Sequence, residues 1–405
     1  MYYFLNLLIK GVIIAINFLI MKPFHKISYR LPVFFQRLGY KLHSHYLRFY
    51  GFPVEKPFIP ESEQIIIFLP HIGWNYLKQR PHHLARAFSE AGWTVIFLTQ
   101  DIAGDKVIGM KKINENFYLC SRVRLIKHIN NPWIYMNWTV NMYYLRYFKK
   151  YKLIYDHFDK LQIHTFYSKK MIREQRKALS EAKVVLASSG SLRDDIISFR
   201  KDTLLVPNAV FPEDFAIHEN TAVPDDLSGI LGQKKPLIGY YGIFSKWKID
   251  YELILYCAQK LPRVNFILIG PAVSFDRSLS EYEWEKISNI YFPGEKKYQT
   301  LPSYSRHFDV AILPLIVNEV TNAISPVKLF EYFAMGLPVV STNIAECRKY
   351  QAVNIAKDHE DFVKQIQKAL PLKKDAEYQR LLQKELAVNT WGHHCKTIEN
   401  KMKAF

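Results

Sequence analysis

The chain has 405 residues, enough for two domains, and its 49% hydrophobic and 15% aromatic content excludes an intrinsically disordered protein. Four cysteines, Cys120, Cys257, Cys347 and Cys395, lie far apart without a CxxC, so neither a zinc site nor a disulfide framework is expected. A net charge of +18 asks for an anionic partner, nucleic acid or acidic lipid.

Residues 1–54 contain no Asp or Glu but carry Lys10, Lys22, Lys26, Arg30, Arg37, Lys41 and Arg48. Within them 2–21 is nearly apolar and long enough to cross a bilayer, although Lys10 near its middle costs about 2.5–3.5 kcal/mol there. No small-residue cleavage site follows, so a removed signal peptide is not expected. The stretch reads as a membrane-associating helical segment on an anionic membrane surface, lying in the interface plane in preference to spanning. It would put the rest of the chain at the cytoplasmic face of the cell membrane.

From residue 64 strands and helices alternate. QIIIFLP at 64–70 is a continuous apolar run, as in a strand covered on both faces. A loop, HIGWNYLKQR, leads to a helix opening at Pro81 and closed by Gly92, and TVIFLTQ is the next strand, which completes a βαβ unit. Strands are expected near 117–120, 152–156, 183–188 and 203–206. Residues 133–150, following Pro132, read as a helix with an aromatic face and basic tips. Residues 212–235, rich in Pro, Asp, Gly and Lys, are the expected connection to a second α/β unit. That unit runs through PLIGYYG, the loop IFSKWKI, a helix capped by Asp250, VNFILIG, DVAILPL and SPVKLFEYFAMGLPVVST at 325–342. In the last segment Ser325 suits the N-cap and Pro326 the first helical position, while Gly336 and Pro338 end the helix before a strand. Ligands of doubly wound sheets bind beyond the carboxyl ends of the strands, which singles out the loops at 71–80, 157–163, 242–248 and 316–327.

Several chemistries are disfavoured. Gly239-Tyr-Tyr-Gly242 lacks the GxGxxG spacing, and neither GxxxxGK[ST] nor GxSxG occurs. No DxD pair offers to hold a divalent ion, and Asp194-Asp195 is expected near a helix start. His82-His83 and His393-His394 are neighbours that point about 100° apart on a helix, which disfavours metal binding. No nucleic-acid-binding motif accompanies the charge.

Five stretches then occur in order between about 64 and 392: NYLKQRPHHLARAFSEAGWTVIFLT, LIYDHFDKL, VPNAV, GYYGIFSKWKIDYELILYCAQKLPRVNFILIGP and SPVKLFEYFAMGLPVVST. Together they resemble the retaining GT-B glycosyltransferases of family 4, nearest the bacterial cell-surface polysaccharide branch of teichuronic-acid type. The resemblance implies an α/β fold of two Rossmann-like domains facing across a cleft. Residues 55–215 with a returning C-terminal helix at 391–405 would form the acceptor domain, and 225–390 the nucleotide-sugar-binding domain. It further implies retaining transfer of a sugar from a nucleoside-diphosphate donor to a membrane, lipid-linked glycan acceptor, with no metal or other cofactor. Many relatives carry a second glutamate eight residues before Glu331; Ala323 stands there in this chain.

Candidate residues follow. Ser325 and Pro326 mark a helix N-terminus whose free N–H groups attract phosphate, and Lys328 adds a cation. Glu331, one turn on and on the same face, accepts both ribose hydroxyls in the role the resemblance implies. Gly242 lets backbone amides approach the diphosphate, Lys246 in preference to Lys248 neutralises it as it leaves, and Gly73 offers a tight backbone to the sugar phosphate. Asp156, His157 and Asp159 are the polar residues expected to face the cleft, with His157, Asp156 and Lys246 as the catalytic set. Each has a plainer reading: an i,i+3 surface pair for Lys328 and Glu331, turn glycines, a solvated lysine, a structurally satisfied histidine. Asn208 is expected to fix an interdomain turn. A nucleotide-sugar 2-epimerase of the same architecture, or a catalytically degenerate binding subunit, are the alternative functions.

Overall fold

Short apolar runs bounded by turns build two sheets in this computed structural model, which describes residues 57–405 apart from 59, 61, 76–77, 100–101, 162–167, 217–221, 272–283 and 285–286. The membrane-associating stretch expected at 1–54 lies outside the described residues. Among the described residues no helix is long and apolar enough to cross a membrane.

The first sheet contains β1 (Ile65–Phe68), β2 (Thr94–Leu98), β3 (Met110–Lys112), β4 (Phe117–Cys120), β5 (Trp133–Met136), β6 (Lys152–His157), β7 (Val184–Ala187) and β8 (Leu204–Leu205), in the order 3-4-2-1-5-6-7-8. Every pairing is parallel except β3 with β4. The second contains β9 (Leu237–Tyr241), β10 (Asn265–Ile269), β11 (Ile290–Gly294), β12 (Val310–Leu313), β13 (Val339–Thr342) and β14 (Val353–Ala356), all parallel, in the order 11-10-9-12-13-14. Helices of eight residues or more are α1 (Arg80–Glu90), α2 (Lys169–Glu181), α3 (Tyr251–Lys260), α4 (Val327–Ala334), α5 (His359–Ala369), α6 (Ala376–Val388) and α7 (Trp391–Met402).

Strand periodicity explains the first sheet. Along β1, Ile66 and Phe68 enter one core while Ile65 and Ile67 enter the other, so the whole run is buried. The core on the first face also receives Leu84 and Phe88 of α1 and Trp391, Cys395, Ile398 and Met402 of α7. The last helix thus packs on the first sheet, and Trp93 Nε1 donates to Glu399 at 2.7 Å to hold it there. In each sheet the order reverses beside the first strand, between β1 and β5 and between β9 and β12, which is where such folds open a crevice.

The helix expected over 133–150 is not formed. Trp133 and Tyr135 face one core and Ile134 and Met136 the other, so a period of two buries both faces and makes β5 a strand. After it, Thr139–Tyr147 is a 3-10 helix. Met142, Leu145 and Phe148 point inward at a period of three, with Val140, Tyr143 and Arg146 outward. Asp194 and Asp195 fall in the second half of a helix, Gly190–Ile196. It starts earlier than expected because Ser189 Oγ accepts from Leu192 N at 3.2 Å. The edge strands β3 and β11 were not anticipated.

Gly239 sits in central β9 directly under the ring of Phe308, where a Cβ would stand 2.0 Å from Phe308 Cδ2. Gly239→Ala is expected to cost about 1–3 kcal/mol through overpacking. Urea denaturation of Gly239→Ala, Phe308→Leu and the double variant checks this. The double variant should lose less than the sum of the two; simple additivity would show that the ring does not set the limit.

Candidate active site in the cleft

The loops at the carboxyl ends of the two sheets meet. Asn208 N donates to Ser325 Oγ at 3.0 Å and Asn208 Nδ2 to Ser325 O at 2.7 Å. Lys160 Nζ reaches Glu319 Oε1 at 2.7 Å, Gly190 N donates to Glu346 Oε1 at 2.8 Å, and Ala187 and Leu192 pack on Ala323.

On the first-domain side the β1 loop is held from below. Trp74 N and Asn75 N donate to the Asp105 carboxylate at 2.8 and 2.7 Å, and Thr99 Oγ1 donates to the same group. His82 Nδ1 accepts from Gln79 N at 3.1 Å, which leaves Nε2–H to donate to Gly73 O at 3.0 Å. Burial lowers the His82 imidazole to about 4 and His83 to about 3, so both are neutral at pH 7. The Gly73 backbone is therefore fixed by a carbonyl bound to a neutral ring.

Two expected catalytic residues are placed elsewhere. Asp156 does not face the cleft. It is fully buried, bound by Arg80 Nε at 2.6 Å and Nη2 at 3.2 Å, and it also accepts from the Tyr135 hydroxyl. His157 points to the opposite face of β6, buried against Tyr155 with Gln175 Nε2 3.3 Å from its Nδ1, and burial lowers it to about 4. Strand alternation is the reason: neighbours in β6 cannot share a face. Of the three, Asp159 is the one that feels the second domain: burial pushes its carboxyl up to about 7 and Lys248 draws it down.

On the second-domain side the cation facing Asp159 is Lys248, whereas the Lys246 side chain is exposed. A turn sets this choice. Lys248 N bonds Ser245 O at 2.9 Å, Ile316 N bonds Lys248 O at 2.9 Å, and Ile249 bridges Leu315, which anchors Lys248 beside the loop after β12. Burial lowers the Lys248 amine to about 8, helped by Lys328 and opposed by Asp159.

Lys328 and Glu331 lie on the same helix face. The helix starts at Val327 with Pro326 as N-cap, one residue later than expected, because the Ser325 hydroxyl is engaged by Asn208 and caps nothing. Lys328 packs on Gly242, where a Cβ would stand 2.2 Å from Lys328 Cε and 2.7 Å from Nζ. Gly242 has φ +149°, and Gly270, at φ +146°, would drive a Cβ to 1.9 Å from Gly242 O, so both positions need glycine. Glu331 is only 5% exposed, far from a surface pair. Burial pushes its carboxyl up to about 7 against the pull of Lys328 and Tyr241. Tyr332 Oη accepts from Tyr241 N at 3.1 Å and fixes α4 on β9.

Other polar groups at the cleft were not singled out from the sequence. Asn137 and Thr139 are buried just beyond β5, at the crossover, and the Asn137 carboxamide and Thr139 hydroxyl meet no protein partner. A cavity of about 330 Å³ lies beside α1, with Trp74, Lys78, His83 and Tyr298 among its walls. Burial and Glu331 both raise the Tyr298 hydroxyl, so this wall adjoins the Glu331 site. Among the described residues no group of three His, Cys, Asp or Glu side chains could hold a metal ion.

Asp156→Asn is expected to destabilise the fold by about 3–5 kcal/mol, because Arg80 is left buried without its counter-ion. Arg80→Met with Asp156→Leu should cost less than Asp156→Asn alone. Chemical denaturation measures both. Full stability with activity abolished in Asp156→Asn would restore Asp156 to the chemistry.

Residues 235–371 match the family described as Glycosyl transferases group 1. Over 236 residues the chain is 25% identical to a Bacillus subtilis (strain 168) protein named for teichuronic acid biosynthesis, the glycosyltransferase TuaH; the match takes in 56% of this chain and 58% of that relative's length. The sucrose-phosphate synthase of Thermosynechococcus elongatus superposes with a TM-score of 0.64 at 14% identity, over 84% of this chain and 98% of that one. Anabaena Alr3699/HepE, solved with UDP and glucose, gives 0.61 at 14% identity over 84% and 100%. The structural likenesses show the fold, a GT-B-like arrangement of two Rossmann-like sheets, and within its second half residues 235–371 are similar to the group 1 glycosyltransferases.

Proposed function

We propose that the protein transfers a sugar from a nucleoside-diphosphate donor to a membrane, lipid-linked glycan. The observation that carries this is the pairing on α4: the Lys328 amine against the Gly242 backbone and the buried Glu331 carboxyl one turn further. A diphosphate would meet Lys328, Lys248 and the first N–H groups of α4, and the ribose hydroxyls would donate to Glu331. Asp159 faces Lys248 across the gap that the transferred sugar would occupy. HepE was solved with UDP and glucose, which makes UDP the first nucleotide to test.

The finer features are part of the same proposal. Transfer with retention rests on the family resemblance. Transfer without a metal is supported by Lys328 and Lys248, which can stabilise the leaving diphosphate as fixed positive charges. Attachment to an anionic membrane at the cytoplasmic face rests on the apolar and basic composition of 1–54.

Glu331→Gln is expected to weaken UDP binding about tenfold or more, since charged hydrogen bonds contribute roughly 1.5–3 kcal/mol. The unfolding midpoint should be unchanged. Calorimetry in EDTA and in magnesium should give the same affinity. A variant that binds UDP as the parent does would return Lys328 and Glu331 to a purely structural pair, and binding that appears only with magnesium would remove the metal-free reading.

Affinity should also pass through a maximum between about pH 7 and pH 8. A ribose that donates to Glu331 favours the ionised carboxylate, so affinity is full above about 7 and lost as pH falls through the range between the free and bound values. A diphosphate favours protonated Lys248, so affinity is full below about 8 and falls as pH rises beyond it. A flat profile from pH 6 to pH 9 would show that neither group touches the nucleotide.

A further inference from the structure

The 3-10 helix Thr139–Tyr147 has three residues per turn, so positions three apart eclipse one another. One ridge, Met142 and Leu145 with Phe148 just beyond, is buried in the first-domain core. The opposite ridge is Val140, Tyr143 and Arg146, continued by Lys149. Val140 is 48% and Tyr143 43% exposed, and Arg146 stands over the rings of Tyr143 and Tyr147 at 5.8 and 5.3 Å. The outward edge therefore runs from apolar through aromatic to cationic side chains.

The surroundings extend this character. Residues 121–150 contain no Asp or Glu and six cations: Arg122, Arg124, Lys127, Arg146, Lys149 and Lys150. The 3-10 helix packs against α2, which adds five Lys or Arg against two Glu, and midway along α2 Arg176 lies over the ring of Phe199, 58% exposed. A nucleic-acid surface would use the cations and the rings but has no need of exposed Val140. Apolar and tyrosine side chains among an excess of cations suit one partner, the headgroup region of an anionic bilayer.

We propose that this face, Val140–Lys150 with α2 beside it, docks the folded domain on anionic phospholipid. It is distinct in sequence from 1–54 and independent of what the cleft binds. The ridge lies flat at headgroup level, with Val140 and Tyr143 immersed and Arg146, Lys149 and Lys150 meeting phosphates. Each cation lost should reduce partitioning roughly fivefold, the equivalent of about 1 kcal/mol.

The test uses the full chain. All four native cysteines are buried, so a cysteine placed by Val140→Cys takes a polarity-sensitive dye selectively, and Lys364→Cys on α5 serves as the reference. Vesicles of 30% phosphatidylglycerol in phosphatidylcholine are compared with pure phosphatidylcholine, and bound protein is measured by sedimentation in the same samples. The expected result is a blue shift and protection from acrylamide at position 140 on anionic vesicles only, with position 364 unchanged. Arg146→Gln, Lys149→Gln and Lys150→Gln together should raise the lipid needed for that signal roughly a hundredfold. Protein that pellets while the dye at 140 stays in water would place the contact elsewhere and overturn the proposal. Failure to pellet on anionic vesicles, or protection at 140 by RNA in place of lipid, would overturn it as well.

Discussion

Arg80 is the residue on which the cleft's geometry depends. Its guanidinium binds both oxygens of Asp156 at the end of β6, and a third nitrogen donates to Pro207 O at 3.0 Å. One buried cation thus joins the first turn of α1, the end of a central strand and the start of the interdomain connection. Burying such a pair carries a desolvation cost of several kcal/mol per ion, offset only when geometry is good and the remaining lone pairs are satisfied. Two contacts to Asp156 and the Tyr135 hydroxyl meet that condition. The loops bearing Gly73 and Asp159 leave these anchored points, so they have little freedom to drift.

Burial, more than ion pairing, governs the charges that remain at the cleft. Glu331, Asp159 and Lys248 all sit within about a unit of neutrality because water is withheld from them. His82, His83 and His157 are held neutral for the same reason and serve as shaped hydrogen-bonding or stacking groups. A ligand that brings hydroxyls and negative charge therefore changes protonation as well as filling space. The cost of keeping these carboxyls and amines in a partly dry cleft has no return in the folded protein alone, which is a physical argument for a bound partner.

Much of this was legible in the sequence, and the failures at the site share a cause. Continuous apolar runs announced the strands of two parallel sheets, and the segment at 325–342 announced a helix carrying Lys328 and Glu331. In those segments a few neighbouring residues carry the information needed. Asp156 was misread because its partner Arg80 lies 76 positions away, and nothing beside either residue reveals the other. Ser325 was misread as a cap because its hydroxyl is claimed by Asn208, 117 positions distant. The choice between Lys246 and Lys248 turns on a backbone bridge to Leu315 that no periodicity encodes. One failure is local: over 139–148 a repeat of three residues is close enough to 3.6 to pass for an α-helix in a short window, so 133–150 reads as one helix with an aromatic face and basic tips.

The Asn208–Ser325 clasp has a mechanical consequence. Its two hydrogen bonds fasten the loop after β8 to Ser325, two residues before α4. Any rotation of the domains that preserves them has its axis close to Ser325. Displacement grows with the lever arm, so Lys328, three residues on, sweeps a short arc. Glu319 and Lys160 are joined by a single ion pair at a carboxylate 85% exposed, which water can replace as the angle opens. The cleft would therefore work as a jaw with a nearly stationary root, in which groups at the root keep their mutual distances while access is regulated at the lip.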